Sequence, residues 1–364
     1  MWRPSWLDSR DESFAQRAGL LPVSVLGRLY GLVTRAHRAA YERGWLRAAR
    51  LPCRVVSVGS PTVGGSAKTP LAAWLASELH RRGRRVVLAS RGYGRTGRAP
   101  VVVVSDGRAI LCPAAEAGDE PLLLAAHAPG VPVLVGARRD AVGQRAIVAF
   151  GAEIIVLDDG FHHHRLARDV DVIALDGTAG LGNARVLPRG PLREPLETLS
   201  RAQALVTVDG PLPAQDVERL ARVAPAIEQV AAVRSPRSLR ALGGGPARPP
   251  RELQGRDVGM LCGIARPASF RRTLESLGAR VVAERTYPDH HRYRAADLRS
   301  LGATHDIWVT TEKDAVKLDE AWLSKTELWV LGSGLRVAGG EAFLDWLEAE
   351  LAIGGASSRV GSAR

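Results

Sequence analysis

The sequence predicts an α/β protein built on a mostly parallel sheet with helices on both faces. Three observations predict it. Between residues 53 and 233, short Val/Ile/Leu-rich runs alternate with helical stretches, the pattern of strands buried on both faces. The first of these runs, Val55-Val56-Ser57-Val58, stops at a small-residue loop, and a helical pattern follows. A later run, Ile154-Ile155-Val156-Leu157, ends in Asp158-Asp159. Such an ending puts carboxylate at the carboxyl edge of the sheet, where open α/β folds bind ligands.

Taken in order, residues 1–50 read as an amino-terminal amphipathic arm. Leu20, Leu21, Val25, Leu26, Leu29, Leu32 and Val33 form an apolar surface. Arg28, Arg35, Arg38, Arg43 and Arg47 supply charge, and Trp2, Trp6 and Trp45 lie nearby. A basic helix with Trp at its margins suits a membrane interface. A helix packed on the protein's own core has the same periodicity, so periodicity leaves both open. Residues 51–240 form the main unit, with strands expected at 53–59, 86–90, 101–104, 132–135, 153–158, 171–176 and 204–208. The Gly/Pro-rich stretch within 241–252 reads as a connector. Residues 253–352 form a smaller carboxy-terminal α/β domain, with strands at 257–262, 280–284, 307–311 and 328–332 and a closing helix near 341–351. Residues 353–364 read as a disordered tail. No run reaches the roughly 18 apolar residues of a spanning helix.

The formal net charge is +12. It suits phosphorylated substrates, anionic membranes or nucleic acid. Positive charge is spread along the chain and aromatic residues do not interleave with basic clusters, which argues against nucleic acid. The three cysteines are far apart and suggest no disulfide framework.

The loop Thr62-Val63-Gly64-Gly65-Ser66-Ala67-Lys68-Thr69 carries the chemistry. Backbone N–H groups at a helix start face phosphates, a Lys reaches the terminal phosphates, and a Thr hydroxyl can ligate Mg²⁺. The loop departs from the strict P-loop pattern at Thr62 and Ala67, both glycine positions. A methyl group at Ala67 is expected to crowd the phosphate cradle. Asp158 or Asp159 is the metal-holding carboxylate of such a site. The adjacent His162, His163 and His164 cannot all face one metal, so zinc is disfavoured. Gly118-Asp119-Glu120-Pro121 is a helix start or a loop-borne base; spacing does not decide. Pro288-Asp289-His290-His291 is a helix cap or a cleft-facing pair.

Together these segments resemble the tetraacyldisaccharide 4'-kinases of lipid A biosynthesis. Residues 62–70 match that family's Thr-Val-Gly-Gly-x-Gly-Lys-Thr-Pro loop except at Ala67, so Thr62 is the family's own residue. Ser90-Arg91-Gly92-Tyr93-Gly94, Gly118-Asp119-Glu120-Pro121 and Asp158-Asp159-Gly160-Phe161-His162-His163 look like further family segments, with His162 in place of Gln. So do Leu187-Pro188-Arg189-Gly190-Pro191-Leu192-Arg193-Glu194-Pro195, Cys262-Gly263-Ile264-Ala265-Arg266-Pro267 and Thr311-Glu312-Lys313-Asp314-Ala315-Val316-Lys317.

The resemblance implies a P-loop NTPase-like kinase at the cytoplasmic face of the bacterial inner membrane. It would move the γ-phosphate of ATP, with Mg²⁺, to the 4' hydroxyl of a membrane-embedded tetraacyldisaccharide 1-phosphate, forming lipid IVA. Residues 62–69 would hold the phosphates, with Lys68 also catalytic. Thr69 and Asp158 or Asp159 would hold the metal. Asp119 would be the base, assisted by His290 in preference to His291. Arg193 and Glu194 would contact substrate or organise the site, and Arg138 and Arg139 would take the 1-phosphate. A monomer is expected. A P-loop enzyme with a soluble substrate, and a family member that binds ATP without phosphorylating, remain as alternatives.

Overall fold

The computed structural model describes residues 19–357 apart from residues 66, 98, 290, 300, 302–306 and 324–325, with residues 353–357 described as helical backbone only. The arm is one long helix, α1 (Leu21–Glu42). Next come β1 (Arg54–Gly59), α2 (Lys68–Arg81), β2 (Val86–Ser90), β3 (Val102–Ser105), α3 (Ala114–Ala117) and α4 (Asp119–His127). These are followed by β4 (Val133–Val135), α5 (Arg139–Phe150), β5 (Ile154–Asp158), β6 (Val170–Asp176), β7 (Ala204–Val208) and α6 (Ala214–Val223). The chain then forms β8 (Glu228–Ala241), β9 (Gly244–Arg248), β10 (Asp257–Cys262), α7 (Pro267–Ser276), β11 (Arg280–Thr286) and α8 (Ala295–Arg299). It ends with β12 (Ile307–Thr311), α9 (Glu312–Ala315), β13 (Glu327–Val337) and α10 (Gly340–Ser357).

Among the described residues the strands form one sheet, in the order β11-β10-β12-β13-β8-β7-β6-β1-β5-β2-β4-β3, with β9 paired to β8. From β8 to β4 every neighbour is parallel. β3 closes the far edge antiparallel. The second unit, β10 to β13, is parallel within itself and joins the first through antiparallel β13–β8 pairing. β8 therefore belongs to both halves. The Gly-rich segment expected as a connector holds β9, which folds back on the end of β8.

The core follows from the apolar runs. Strands β1, β2, β5, β6 and β7 are buried almost throughout. Helix α2 turns Leu71, Leu75 and Leu79 into the sheet, all fully buried. Each such leucine contributes about 1.5–3 kcal/mol. Helix α10 lays Phe343, Leu344, Leu347 and Leu351 into that same first-unit core. Arg82 at the end of α2 ties it down through Glu341, Asp345 and Glu348.

Candidate active site

β1 and β5 lie side by side, with Val58 opposite Asp158. The loops after both strands therefore open at one edge of the sheet. Lys68 and Thr69 begin α2 at this edge. Thr69 Oγ1 donates to Asp158 Oδ2 at 3.2 Å and lies 3.4 Å from Oδ1. Lys68 Nζ lies 3.1 Å from Asp159 Oδ1, and Arg193 donates to Asp159 Oδ2 at 2.8 Å.

The two adjacent aspartates meet opposite electrostatics. Burial works to raise the Asp159 carboxyl, but Lys68 and Arg193 hold it down at about 2. Asp158 is 2% exposed. Burial, then the charges of Glu120 and Asp159, push its carboxyl up to about 7 against Lys68 and the Thr69 hydroxyl. A buried carboxylate short of positive charge, beside a hydroxyl, is a hard-oxygen donor set that fits Mg²⁺.

A strap holds the front of the phosphate loop. Val63 N–H donates to the Pro191 carbonyl at 2.9 Å, and Arg193 N–H to the Pro61 carbonyl at 2.8 Å. This short antiparallel contact, which includes a Thr62–Leu192 bridge, carries Arg193 to Asp159. It also sets Glu194 among His162, His164 and Arg201. Burial opposes ionisation of Glu194, but the adjacent His162, the His164 hydrogen bond and the charge of Arg201 hold its carboxyl well below the usual range. His162 Nε2 lies 3.0 Å from the Ser60 carbonyl, at the start of the loop. His164 stacks on Tyr41 and meets His37 edge-on, so α1 abuts this cluster.

A family model described as Tetraacyldisaccharide-1-P 4'-kinase matches residues 17–352. This chain belongs to that family. A relative from Anaeromyxobacter dehalogenans (strain 2CP-C), named tetraacyldisaccharide 4'-kinase, is 47% identical over 328 residues, covering 86% of this chain and 85% of its own. One of the same name from Syntrophus aciditrophicus (strain SB) is 43% identical over 297 residues, covering 76% and 79%. The solved structure from Aquifex aeolicus, described as the "apo" form of LpxK in complex with ATP, is 30% identical with a TM-score of 0.73, covering 92% of this chain and 99% of that one.

Where the family loop has glycine, Ala67 adopts φ 60° and ψ 26°, the left-handed region. Its methyl group is buried in the cluster that holds Leu71 and Leu75. The departure is thus conformational, costing about 1–2 kcal/mol for a residue with a Cβ, and the methyl contributes to the core. Gly118, before Asp119, has φ 88°, and a Cβ there would lie 2.6 Å from the Tyr93 carbonyl. Two family segments therefore touch at a point only glycine allows. Asp119 begins α4, half-buried, and its carboxylate makes no hydrogen bond or ion pair among the described residues.

Adjacent arginines part company. Arg139 is 4% exposed and donates to the Gly136 carbonyl at 3.0 Å, within electrostatic reach of Asp158 and Asp159. Arg138 is exposed and forks onto Asp140 at 2.6 Å. They do not form one clamp. Ser66 and His290 lie outside the described residues. His291 stacks on Tyr287 and lies 3.3 Å from Asp297, within its own unit.

Sequence reasoning passed over Glu120, His164 and Arg201. Glu120 stands next to the candidate base in one segment, and that adjacency was the available signal. Nothing in the sequence paired His164 or Arg201 with Glu194.

Proposed function

We propose that this chain transfers the γ-phosphate of ATP to the 4' hydroxyl of tetraacyldisaccharide 1-phosphate, forming lipid IVA. The observation that carries the reading is the meeting of Lys68, Thr69, Asp158 and Asp159 at one sheet edge, in a chain of this family. Phosphoryl transfer asks mainly for positioning and charge neutralisation, and these residues supply both.

Lys68 and the loop amides hold the β- and γ-phosphates. Thr69 and Asp158 hold Mg²⁺, while Asp159 orients Lys68 and Arg193. A metal ion held by these residues would supply neutralisation of phosphate charge. Asp119 accepts the proton of the attacking hydroxyl, with His290 as its assistant. Its carboxylate carries no competing partner among the described residues, which leaves it available to substrate. Arg139 adds positive charge behind the carboxylates, and Arg138 is the better placed of the two for the 1-phosphate at the surface.

Helix α1 docks the enzyme on the cytoplasmic leaflet. Leu21, Leu26, Leu29, Leu32 and Val33 are each more than half exposed, as is Trp45. A contiguous apolar face of this kind marks an interaction surface. Among the described residues no helix is long and apolar enough to cross a membrane. The chain then acts as a peripheral monomer.

Incubation with γ-labelled ATP, Mg²⁺ and the acylated disaccharide 1-phosphate, followed by thin-layer separation, should show label in a bisphosphorylated lipid. Label released only as inorganic phosphate would overturn the acceptor assignment. Asp119→Asn should lower kcat by about 10²–10⁴-fold with ATP binding retained. Near-normal turnover would remove Asp119 as the base.

A further inference from the structure

We propose that a cavity between α1 and the body of the protein binds the phosphate headgroup of an anionic bilayer phospholipid, separately from the phosphoryl-transfer site. It measures about 720 Å³ and is walled by α1, the 183–197 segment and α6. Gly27 makes it possible: α1 comes so close that a Cβ there would lie 3.1 Å from Arg189 Cβ.

Arg28, Arg35, Arg185, Arg189, Arg219 and Arg222 line this cavity. Among the described residues, Glu197 and Asp216 offset two of them. Glu197 pairs with Arg35 at 3.3 Å, and buried Asp216 with Arg219 at 2.9 Å. Arg189 is 3% exposed and donates to Ser24 Oγ at 3.0 Å, a guanidinium built into the wall. Arg28 and Arg185 are exposed and make no ion pair among the described residues. Arg28 and Arg185 thus give the cavity unbalanced positive charge among the described residues, and guanidinium forks match phosphate oxygens.

A lipid, rather than free phosphate, follows from what borders the cavity. Leu21, Val25, Leu29 and Leu32 form an exposed apolar stripe on α1. Arg28 and Arg35 lie three or four residues from stripe members, so they are surface neighbours of it. A helix lying with its stripe among acyl chains carries this arginine row at headgroup level. The cluster around Glu194 meets α1 on another flank, through His37 and Tyr41. The inference rests on the interfacial reading of α1 proposed above.

The test is titration calorimetry of the full chain with dihexanoyl phosphatidylglycerol below its micellar concentration, where no membrane surface potential operates. Saturable one-to-one binding is expected, with dihexanoyl phosphatidylcholine at least about tenfold weaker. Arg28→Gln with Arg185→Gln should weaken binding by about tenfold or more, and Arg47→Gln with Arg50→Gln, which removes equal charge outside the cavity, by less than about twofold. The lysine pair, Arg28→Lys with Arg185→Lys, should fall between and guards against misfolding as the cause. Equal losses in the two glutamine pairs, or inorganic phosphate binding as tightly as the lipid, would overturn the proposal. Flotation with mixed phosphatidylcholine–phosphatidylglycerol vesicles reads the interfacial proposal separately. If Leu29→Gln with Leu32→Gln leaves flotation intact, that proposal fails by itself. If the calorimetric contrast between arginine pairs is absent while those leucine changes abolish flotation, the cavity proposal fails by itself.

Discussion

Two buried aspartates, one in each half of the sheet, differ in almost everything except burial. Asp314, after β12, is fully buried and saturated. It accepts from Gly263 N–H at 3.0 Å and Thr311 Oγ1 at 2.8 Å, and it meets Lys317 Nζ at 3.0 Å. Asp158, ending β5, has the Thr69 hydroxyl as its hydrogen-bond donor and faces Glu120 and Asp159. Both belong to segments that resemble the family. One is a joint, fastening the end of β10 to α9; the other is a poised charge. Resemblance alone does not separate these roles. The balance of charge around each carboxylate does, because uncompensated buried charge is costly unless a site needs it.

The largest effect expected from breaking this contrast is on turnover. Asp158→Asn should reduce kcat by about 10³-fold while thermal unfolding stays where it was or rises, since a strained charge is removed. Retention of a tenth of normal activity would show that Asp158 is not the metal-holding carboxylate. Asp314→Ala should do the reverse, costing about 3–5 kcal/mol in denaturant unfolding because Lys317 is left buried without its partner. An unchanged unfolding midpoint would remove the joint role.

A smaller effect concerns acid. His163 is pushed down to about 4, first by burial and then by Arg139, Arg168 and Arg165. The folded state favours the neutral ring, so stability is full above about 6.5, the ordinary value, and declines as pH falls from there toward about 4. Discounted for partial exposure, the loss is about 1–2 kcal/mol, and His163→Gln should flatten it in thermal melts at pH 7 and pH 5. An equally steep decline in the variant would count against His163 as its source. The smallest effect is at Ala67. Ala67→Gly should relieve the left-handed strain and raise stability by about 1 kcal/mol at most, since the buried methyl is lost as well. A destabilised variant would mean that the methyl's packing outweighs the backbone strain.

Much of the fold was legible because its signals are local. Val/Ile/Leu runs placed β1 to β7 within a residue or two but missed β8, and Lys68-Thr69 placed the start of α2. Helix α1 was visible from its periodicity, though residues 1–18, with Trp2 and Trp6, lie outside the described residues. The site was legible as residue types and illegible as geometry. The choice between Asp158 and Asp159 depends on Lys68, Arg193 and Glu120, which approach from three other segments. The left-handed backbone of Ala67 leaves no trace in composition, and the expected crowding of the phosphates gave way to a methyl in the core. The strap between residues 61–63 and 191–193 is a tertiary pairing too short for any periodicity to announce.

Helix α10 carries one more consequence. Its apolar face fills the core behind the phosphate loop, although well over two hundred residues separate the two along the chain. As the polypeptide leaves the ribosome, the half made first is thus the half completed last. Nascent chains should acquire the nucleotide site only once α10 has been made, and loss of α10 should behave as a lesion of the amino-terminal half.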